Sequence, residues 1–449
     1  MSRFPRLSVA VLAVPALVAL VALGATGCSK DDSPVGPAQT YSSIVISGPD
    51  TVLVDENVVF TVVVLDTAGQ VVTAPQLTWS TTSSAIASVN NAGRVSGESE
   101  GSAFVWATGG GQVSLSHPLE VIQGRGWVDQ SGAVASLQTL RGVHFVSARS
   151  GWAVGDQGTI LHTVDAGGHW LSQVSNSTGY TLNAVAFATT TIGTIVGSAG
   201  RILRTTNGGT TWSALIAVDT DNGKALNDVW FQDQNRGWIV GNGGLVLRTS
   251  NGGASWTRVL PGVTAANLQG VAFPYWGALG PPFDEPYARG WIVGDNGTIL
   301  TSADFGQSWR IVTPFVTTDP LLGVVRTTTA AAIAVGSNNR VATTAASADT
   351  ALWSLAPPPT PFSNLTAVSW PNWPGMPVAP AFAVGKRTDI AQPVVLVSND
   401  GGQGWSAQDL PAAAPLAGKG LEDVFFLDAN RGWAVGTQGL VLHTATGGH

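Results

Sequence analysis

The sequence predicts an all-β protein in which a small β-sandwich precedes a seven-bladed β-propeller. The 449 residues include 55 Gly, 25 Pro and 17 Trp but only 2 Met, and 11% are charged, where a soluble domain carries about 25%. Short alternating apolar runs separated by turn residues fill positions 41–123, and a repeat of about 43 residues fills positions 124–449. With 44% hydrophobic residues, the chain is too apolar to be disordered and lacks the composition of long helices.

The net charge excludes one class of partner. The 21 Lys and Arg residues stand against 28 Asp and Glu, which leaves a formal charge of -7. A nucleic-acid-binding domain needs a basic surface, so we exclude nucleic acid as a partner. An acidic membrane surface is excluded as an electrostatic partner for the same reason.

The N-terminus has the form of an export signal over residues 1–27. Arg3 and Arg6 precede an apolar run at 7–23, and the small residues Gly-Ala-Thr-Gly follow at 24–27. A charged region, an apolar region and a small-residue cleavage site are the three parts of a signal peptide. We therefore exclude this segment from the folded protein.

The residue after that segment, Cys28, is the only cysteine. With it, the N-terminus resembles a bacterial lipoprotein signal, although Ala25 stands where that family usually has leucine. The resemblance implies that Cys28 is lipidated and anchors an exported chain in the cell membrane or the outer membrane. Residues 28–40 are polar and contain Pro and Gly, which suits a flexible tether. An uncleaved membrane anchor or a plain secretory signal is the alternative.

The sandwich is predicted from short β-branched and aromatic runs between turns, at 58–64, 77–80, 87–89, 93–97 and 102–107. The segment LTWSTTSSAIASVNNAGRVSGESEGSAFVWA resembles the bacterial immunoglobulin-like group 2 domain. That resemblance implies an immunoglobulin-like β-sandwich over 41–123, with Trp79 and Val89 in the core and Gly93 and Gly101 in tight turns. Members of that family are mostly stalks or adhesive modules, and we interpret this domain as a spacer.

The repeat predicts the propeller. Its first copy runs from Leu140 to Trp170 and contains the segments LRGVHF, GWAVG, GTILHT and DAGGHW. Six further copies follow the same order: 182–212, 226–256, 268–309, 322–353, 365–405 and 421 to the end. Units of this length with several short strands each are typical of propeller blades, so we expect seven blades over 124–449.

The two ends of the repeat region complement each other. The last copy stops before the tryptophan that begins the fourth strand in the other copies. Trp127, in the segment 126–130, precedes Leu140 by about the spacing that separates Trp170 from Leu182. We therefore expect the strand at Trp127 to complete the blade whose other three strands end the chain, which hides two open sheet edges.

Five copies contain a turn of the Asp-box form known from sialidases and related propellers: TVDAGGHW, TTNGGTTW, TSNGGASW, SADFGQSW and SNDGGQGW. In such a turn an Asp or Asn side chain accepts backbone N–H groups, and Gly takes the positive-φ position. We interpret these turns as structural, and not as catalytic aspartates or calcium loops.

The copies GWAVGDQGTILHT, GWIVGNGGLVLRT, GWIVGDNGTIL and GWAVGTQGLVLHT resemble the photosystem II assembly and stability factor family, over about residues 125–449. The resemblance implies a propeller with a non-catalytic scaffold or binding role. The basic patch of that family is not matched, because Arg141, Arg204, Arg248 and Arg326 are scattered and the total charge is acidic. The attached sandwich and anchor also depart from it, so photosystem binding is a secondary alternative.

The sequence shows no catalytic constellation. A sialidase needs an arginine cluster and a Tyr/Glu pair, and the chain has only 4 Tyr and no Arg-Ile-Pro motif. Asp228, Glu422 and Asp423 take first-strand positions that could approach the channel, where paired carboxylates would suit a glycosidase, but we interpret them as polar lining. His162 and His443 occupy matching repeat positions, which indicates blade geometry. We expect no enzyme activity, no metal and no cofactor, with a sialidase- or glucanase-like hydrolase as the alternative.

Two groups of residues are candidates for ligand binding. The residues after the leading leucines are expected on one rim, where the polar ones could hold a peptide or sugar: Arg141, Asn183, Asn227, Gln269, Leu322, Thr366 and Glu422. Insertions at 274–287 and 371–380 carry aromatic residues expected on one propeller face: Tyr275, Trp276, Phe283, Tyr287 and Trp373. Exposed aromatic loops of this kind contact proteins or glycans. Solvated lining, or loops folded back over a blade edge, are the alternatives.

The sequence thus predicts an exported, lipid-anchored monomer of the cell envelope. An immunoglobulin-like spacer carries a seven-bladed propeller, which binds an envelope or extracellular protein, or a glycan, without catalysis.

Overall fold

The computed structural model describes residues 41–449, except 55, 123–125, 135, 216–218, 222, 260–261, 275–287, 328–330, 345–351, 360–361, 372–379, 412–415 and 449. The described residues are built from β-strands and short turns, so the all-β prediction is confirmed. No helix within them is long and apolar enough to cross a membrane. The predicted signal segment, Cys28 and the tether lie outside the described residues.

Eleven short strands occupy residues 41–122: β1 (Tyr41–Ser47), β2 (Thr51–Leu53), β3 (Asn57–Val59), β4 (Thr61–Asp66), β5 (Val71–Val72), β6 (Thr78–Thr81), β7 (Ala87–Val89), β8 (Arg94–Gly97), β9 (Gly101–Gly109), β10 (Gln112–Val113) and β11 (His117–Ile122). They pair into sheets β1-β4-β5, β3-β8-β7 and β10-β9-β11-β2, with β6 also on β9. The β2–β11 pair is parallel, and the other pairs are antiparallel.

One apolar core joins these three sheets. The ring of Trp79, only 7% exposed, meets Phe60 edge-to-face at a centroid distance of 6.4 Å. Gly93 lies against this pair with a φ of +75°, and a Cβ there would come within 2.8 Å of the Trp79 ring. A larger residue at Gly93 would therefore clash with the core as well as strain the turn.

Seven four-stranded antiparallel sheets follow, which we number 1 to 7 along the chain. Sheets 1 to 3 contain β13 (Leu140–Phe145), β14 (Gly151–Gly155), β15 (Ile160–Thr163), β16 (Leu171–Ser172); β17 (Leu182–Phe187), β18 (Gly193–Gly197), β19 (Ile202–Thr205), β20 (Ser213–Ala214); and β21 (Leu226–Phe231), β22 (Gly237–Gly241), β23 (Leu245–Thr249), β24 (Thr257–Arg258). Sheets 4 and 5 contain β25 (Leu268–Ala272), β26 (Gly290–Gly294), β27 (Ile299–Ser302), β28 (Arg310–Ile311); and β29 (Leu321–Arg326), β30 (Ala332–Gly336), β31 (Arg340–Thr344), β32 (Ser354–Leu355). Sheets 6 and 7 contain β33 (Ser363–Ser369), β34 (Ala381–Arg387), β35 (Pro393–Ser398), β36 (Ser406–Ala407); and β37 (Leu421–Phe426), β38 (Gly432–Gly436), β39 (Val441–Thr444) with β12 (Val128–Asp129).

The seven sheets form a ring. The first strand of each sheet contacts the first strand of the next, and β37 of sheet 7 contacts β13 of sheet 1. The leading leucine of sheet 5 is Leu321, one residue before the start of that copy as taken from the sequence. Short 3-10 turns follow the second strand in five sheets: Asp156–Gly158, Ser198–Gly200, Asn242–Gly244, Asp295–Gly297 and Thr437–Gly439.

Sheet 7 is assembled from both ends of the repeat region. Val128 pairs with His443, and Asp129 pairs with Leu442, so β12 is the outer strand next to β39. The buried ring of Trp127 packs edge-to-face on Phe426 at 5.7 Å. These contacts join segments that are about 300 residues apart in sequence.

Stacked aromatic rings hold neighbouring sheets together. The last residue of a first strand stacks on the second-strand aromatic residue of the preceding sheet, in the pairs Phe145–Trp433, Phe187–Trp152 and Phe426–Phe382, at 3.6, 4.0 and 3.5 Å between centroids. Phe273 likewise stacks at 3.7 Å on Trp238, although it lies just beyond β25. The tryptophan of the Gly-Trp-x-Val-Gly motif is therefore an inter-sheet residue. Its glycine is required as well, because a Cβ at Gly151 would lie 2.5 Å from the Phe145 ring.

The Asp-box turns are stabilised by a repeated set of hydrogen bonds. In sheet 1, Thr163 Oγ1 donates to Asp165 Oδ1 at 2.9 Å, and the backbone N–H of His169 donates to the same oxygen at 2.9 Å. The N–H of Gly167 donates to Thr163 Oγ1 at 2.9 Å. Equivalent bonds occur at Asn207, Asn251, Asp304 and Asp400. These Asp and Asn side chains thus stabilise the turns in which they lie.

Candidate functional site

A β-bulge recurs in the first strand of all seven sheets, next to the leading leucine. In sheet 1 the register shifts between Leu140 and Gly142, and the same shift occurs in every other sheet. A bulge removes one residue from the in-and-out alternation of the strand and redirects its side chain. The seven residues predicted as a ring occupy this position, and all of them are half-buried.

Three of the predicted ring residues hold neighbouring sheets together. Asn183 Nδ2 donates to the carbonyl oxygen of Leu226 at 2.8 Å, and Thr366 Oγ1 donates to that of Leu421 at 2.8 Å. Asn227 Nδ2 donates to the carbonyl oxygen of Leu268 at 2.8 Å. In each case the acceptor is the leading leucine of the next sheet. These side chains therefore form inter-sheet hydrogen bonds that stabilise the ring, and they also lie at its rim.

Two other polar ring residues, Gln269 and Arg141, contact the turns after the second strands. Gln269 Nε2 donates to Asp295 Oδ1 at 2.9 Å, and Arg141 Nε donates to Asp156 Oδ1 at 2.7 Å. The bond to Asp156 raises the pKa of the Arg141 guanidinium above its ordinary value. Leu322, the remaining member, is apolar and half-buried.

Glu422 lies near the Arg141–Asp156 pair, at the seam between sheets 7 and 1. Burial raises the pKa of the Glu422 carboxyl, while the charges of Arg141 and Lys386 oppose that increase. Lys386 Nζ donates to the carbonyl oxygen of Gly418 at 2.9 Å. The rim here is therefore of mixed charge, and Asp156 and Lys386 are members that the sequence analysis did not identify.

Asp228 and Asp423 occupy the next position of the first strand, in sheets 3 and 7. Asp228 accepts the backbone N–H of Val271, in sheet 4, at 2.9 Å, and Asp423 accepts that of Val143, in sheet 1, at 2.8 Å. The second oxygen of each carboxylate accepts the N–H of the following residue in its own strand at 2.8 Å. Each carboxylate thus joins two consecutive sheets.

Both carboxyls are half-buried, and burial raises their pKa values. The pKa of Asp228 rises to about 6, and that of Asp423 to about 7. The backbone N–H bonds oppose this effect in both residues. The charges of Asp228 and Glu422 add to the increase of the Asp423 pKa.

Aromatic side chains form the next layer along the first strands. His144, Trp230 and Phe425 hold the fifth position in sheets 1, 3 and 7, and each is half-buried. The His144 ring lies 4.7 Å from Phe425 and 6.0 Å from Phe187, centroid to centroid. Burial lowers the pKa of His144 to about 4, so its imidazole is neutral. The signal for this layer in the sequence is the large residue at position five in only these copies.

The predicted aromatic surface cannot be placed. The described residues do not include its five members: Tyr275, Trp276, Phe283, Tyr287 and Trp373.

Two predicted histidines stack on tryptophans in equivalent positions of sheets 1 and 7. His162 lies 4.4 Å from Trp152, and His443 lies 4.9 Å from Trp433, between ring centroids. Among the residues that the structure describes, no group of three or more His, Cys, Asp or Glu side chains is placed to hold a metal ion.

Comparison with solved structures identifies the architecture of the ring. A structure described as YCF48 bound to a D1 peptide is 20% identical, with a TM-score of 0.56, over 72% of this chain and 98% of that chain. These sheets belong to a β-propeller. YCF48 from Cyanidioschyzon merolae has a similar fold (17% identity, TM-score 0.55, 71% and 98% coverage). Virginiamycin B lyase from Staphylococcus aureus (10% identity, TM-score 0.54, 71% and 98% coverage) shares the fold as well.

The sequence of the propeller also matches a family model. Residues 119–215 and 171–264 match the model described as photosynthesis system II assembly factor YCF48. The matches cover fewer than half of the residues, and they support the resemblance seen in the Gly-Trp-x-Val-Gly copies. No curated protein matches the chain.

Proposed function

We propose that the chain is an exported lipoprotein whose propeller binds a protein segment at its axial rim without catalysis. In this proposal Cys28 carries the lipid anchor, residues 41–123 form an immunoglobulin-like spacer, and the seven sheets are the seven blades of a closed propeller. The partner is a protein of the envelope or the extracellular space, and a glycan is the alternative ligand.

The observation that carries the non-catalytic interpretation is the bonding of Asp228 and Asp423. Both oxygens of each carboxylate accept a backbone N–H, one from its own strand and one from the next sheet. A general acid or base must exchange its proton with a substrate, whereas these oxygens hold backbone groups in place. Their geometry therefore favours a structural role and leaves recognition as the function of the rim.

Two further observations support protein binding. One solved propeller of similar fold is described as bound to a peptide. The rim of this chain offers both charges close together, with Arg141, Asp156, Lys386 and Glu422 at the seam between sheets 7 and 1. Complementary charges of this kind give an interface specificity and fix its register.

The test is crosslinking and capture from native membranes. We expect the wild-type chain to capture one envelope protein, and the variant Arg141→Ala plus Glu422→Ala to lose at least 90% of it. Arg387→Ala plus Asp389→Ala is the matched control, because this pair is a separate, partly exposed ion pair in sheet 6. Equal capture by both variants would show that the rim is not the binding surface.

The aromatic insertions provide a second binding surface to compare. The variant Trp276→Ala plus Trp373→Ala should retain the partner if the rim alone binds it, and lose the partner if the loops do. Binding to a panel of envelope glycans, measured with the same two variants, separates the glycan alternative from the protein one.

The hydrolase alternative is kept because two carboxyls with raised pKa values lie on the first strands of sheets 3 and 7. A glycosidase of this kind would use one as an acid and the other as a base or nucleophile. Hydrolysis of sialosides or glucans that disappears in Asp423→Asn, without loss of folding, would establish that alternative. If the wild-type chain hydrolyses neither substrate in this assay, the result supports the binding function.

A further inference from the structure

Asp228 and Asp423 place two carboxylates at the same depth on opposite sides of the propeller axis. They hold the same strand position in sheets 3 and 7, which are three sheets apart in one direction around the ring and four in the other. In a ring of seven sheets, this is the largest separation that two sheets can have. Each first strand contacts the first strand of the next sheet, so both carboxylates lie on the strands that surround the axis.

The layer beside these carboxylates contains the half-buried rings of His144, Trp230 and Phe425. The imidazole of His144 is neutral, because burial lowers its pKa to about 4. A neutral imidazole offers one lone pair, which can accept a hydrogen bond from an ammonium or guanidinium group. The faces of Trp230 and Phe425 attract cations through their electron-rich rings.

We propose that the axis of the propeller binds a cationic side chain, lysine or arginine, of a partner protein between Asp228 and Asp423. The inference rests on the proposed protein-binding function and names the group that enters the propeller. The carboxylates stay bonded to the backbone N–H groups and still have lone pairs for the cation, because each oxygen can accept two hydrogen bonds. His144, Trp230 and Phe425 contact the same cation from the adjacent layer.

The surrounding charges favour this ligand. Arg141 is neutralised by Asp156 at 2.7 Å, and Lys386 is held by the carbonyl oxygen of Gly418. Glu422 adds a third carboxylate near Asp423. Asp295, which accepts the Gln269 amide, adds negative charge in sheet 4. A cation therefore enters a region of net negative charge, where two desolvated carboxylates gain a counter-ion.

The test uses three acetylated and amidated pentapeptides, Ala-Ala-X-Ala-Ala, in which X is lysine, arginine or norleucine. Calorimetric titration of the full chain at pH 8 should show binding of the lysine or arginine peptide at least tenfold tighter than that of the norleucine peptide. Asp228→Asn plus Asp423→Asn should remove this preference. Asp233→Asn plus Asp428→Asn is the matched control, because these carboxylates lie in equivalent turns of the same two sheets and pair with Arg236 and Arg431.

A pH series gives an independent measurement. The preference for the cationic peptide should fall at least fivefold between pH 8 and pH 5, as Asp228 and Asp423 take up protons. Glu422, Asp156 and Asp295 also face this region, so the comparison with the double Asn variant assigns the change to the two aspartates. His144→Phe, which keeps a ring between Phe187 and Phe425, should weaken lysine binding at least threefold even where the Asn variants fold poorly.

Equal binding of the norleucine and lysine peptides would overturn the proposal, and so would a cation preference that survives in the double Asn variant. The absence of lysine- or arginine-peptide binding at millimolar concentration would also overturn it. If the native partner were still captured through Arg141 and Glu422, the proposed binding function would stand and only the axial site would fail.

Discussion

The bond between Trp433 and Ala166 can be isolated by comparing two tryptophans in nearly identical surroundings. Trp433 stacks between Phe145 at 3.6 Å and His443 at 4.9 Å, and Trp152 stacks between Phe187 at 4.0 Å and His162 at 4.4 Å. Both indoles are at most 1% exposed. They differ in one bond, because Trp433 Nε1 donates to the carbonyl oxygen of Ala166 at 2.8 Å while Trp152 Nε1 has no partner among the described residues.

Replacing each tryptophan with phenylalanine removes similar apolar surface and leaves a similar cavity. The shared cost cancels when the two variants are compared, and what remains is the bond to Ala166. The oxygen of Ala166 keeps a second, longer bond of 3.3 Å from Gln130 Nε2. We therefore expect Trp433→Phe to lower the free energy of unfolding by about 0.5–1.5 kcal/mol more than Trp152→Phe.

The assay is guanidinium unfolding followed by circular dichroism, with the slope of the transition checked for each variant. In a Gln130→Leu background the oxygen loses both donors, and the excess cost should increase to about 1–3 kcal/mol. An equal loss for Trp433→Phe and Trp152→Phe in both backgrounds would refute the reasoning. It would mean that the seam between sheets 7 and 1 depends on stacking alone.

Four other outcomes are expected. Deleting residues 126–130 should greatly lower the melting temperature in calorimetry, because β12 and Trp127 complete sheet 7; an unchanged melting temperature would contradict that closure. Burial raises the folded-state pKa of Asp228 to about 6 and of Asp423 to about 7, above the ~3.9 of an unfolded chain, so these two residues favour the folded form increasingly as the pH falls from 8 to 5, while the buried His144 and His443, with pKa values lowered to about 4, oppose them. In chemical denaturation, the free energy of unfolding of the variant with both aspartates changed to Asn should therefore fall relative to that of the wild type as the pH falls from 8 to 5. Thr194→Val should stabilise the protein by about 1 kcal/mol in the same assay, because the buried Thr194 hydroxyl lacks a partner within the described chain. Cys28→Ser should move the protein from the membrane to the soluble fraction on cell fractionation, and retention in the membrane would refute lipid anchoring.

The repeated sequence was sufficient to predict the strands of the ring, because the same apolar pattern occurs in every copy. Leu140, Trp152 and their counterparts recur at fixed spacing, and these residues form the buried contacts within and between sheets. Their signal is local, since each strand contains its own apolar and glycine residues. The start of the fifth copy was misplaced by one residue because Leu321 and Leu322 are adjacent and both fit the pattern.

The partners of the rim side chains could not be predicted in this way. Asn183 is bonded to the carbonyl oxygen of Leu226, which lies a full repeat later in the chain, and an asparagine facing solvent would look the same in the sequence. The bulge has no constant residue signal, because the residue after it is glycine in sheets 1, 4 and 5 but Ala184 in sheet 2 and Asp228 in sheet 3. The pattern therefore predicted the location of the rim but not its inter-sheet bonds.

The joining of β12 to β39 has a consequence for the order of assembly during synthesis. The strand at Val128 precedes every other described strand of the propeller in the chain, yet its pairing partner at His443 follows all of them. Until His443 is synthesised, the outer edge of the growing ring and the strand that will cover it are both open to other chains. A chain shortened before β39 would therefore keep an unpaired strand at Val128, which is open to other chains and to proteases.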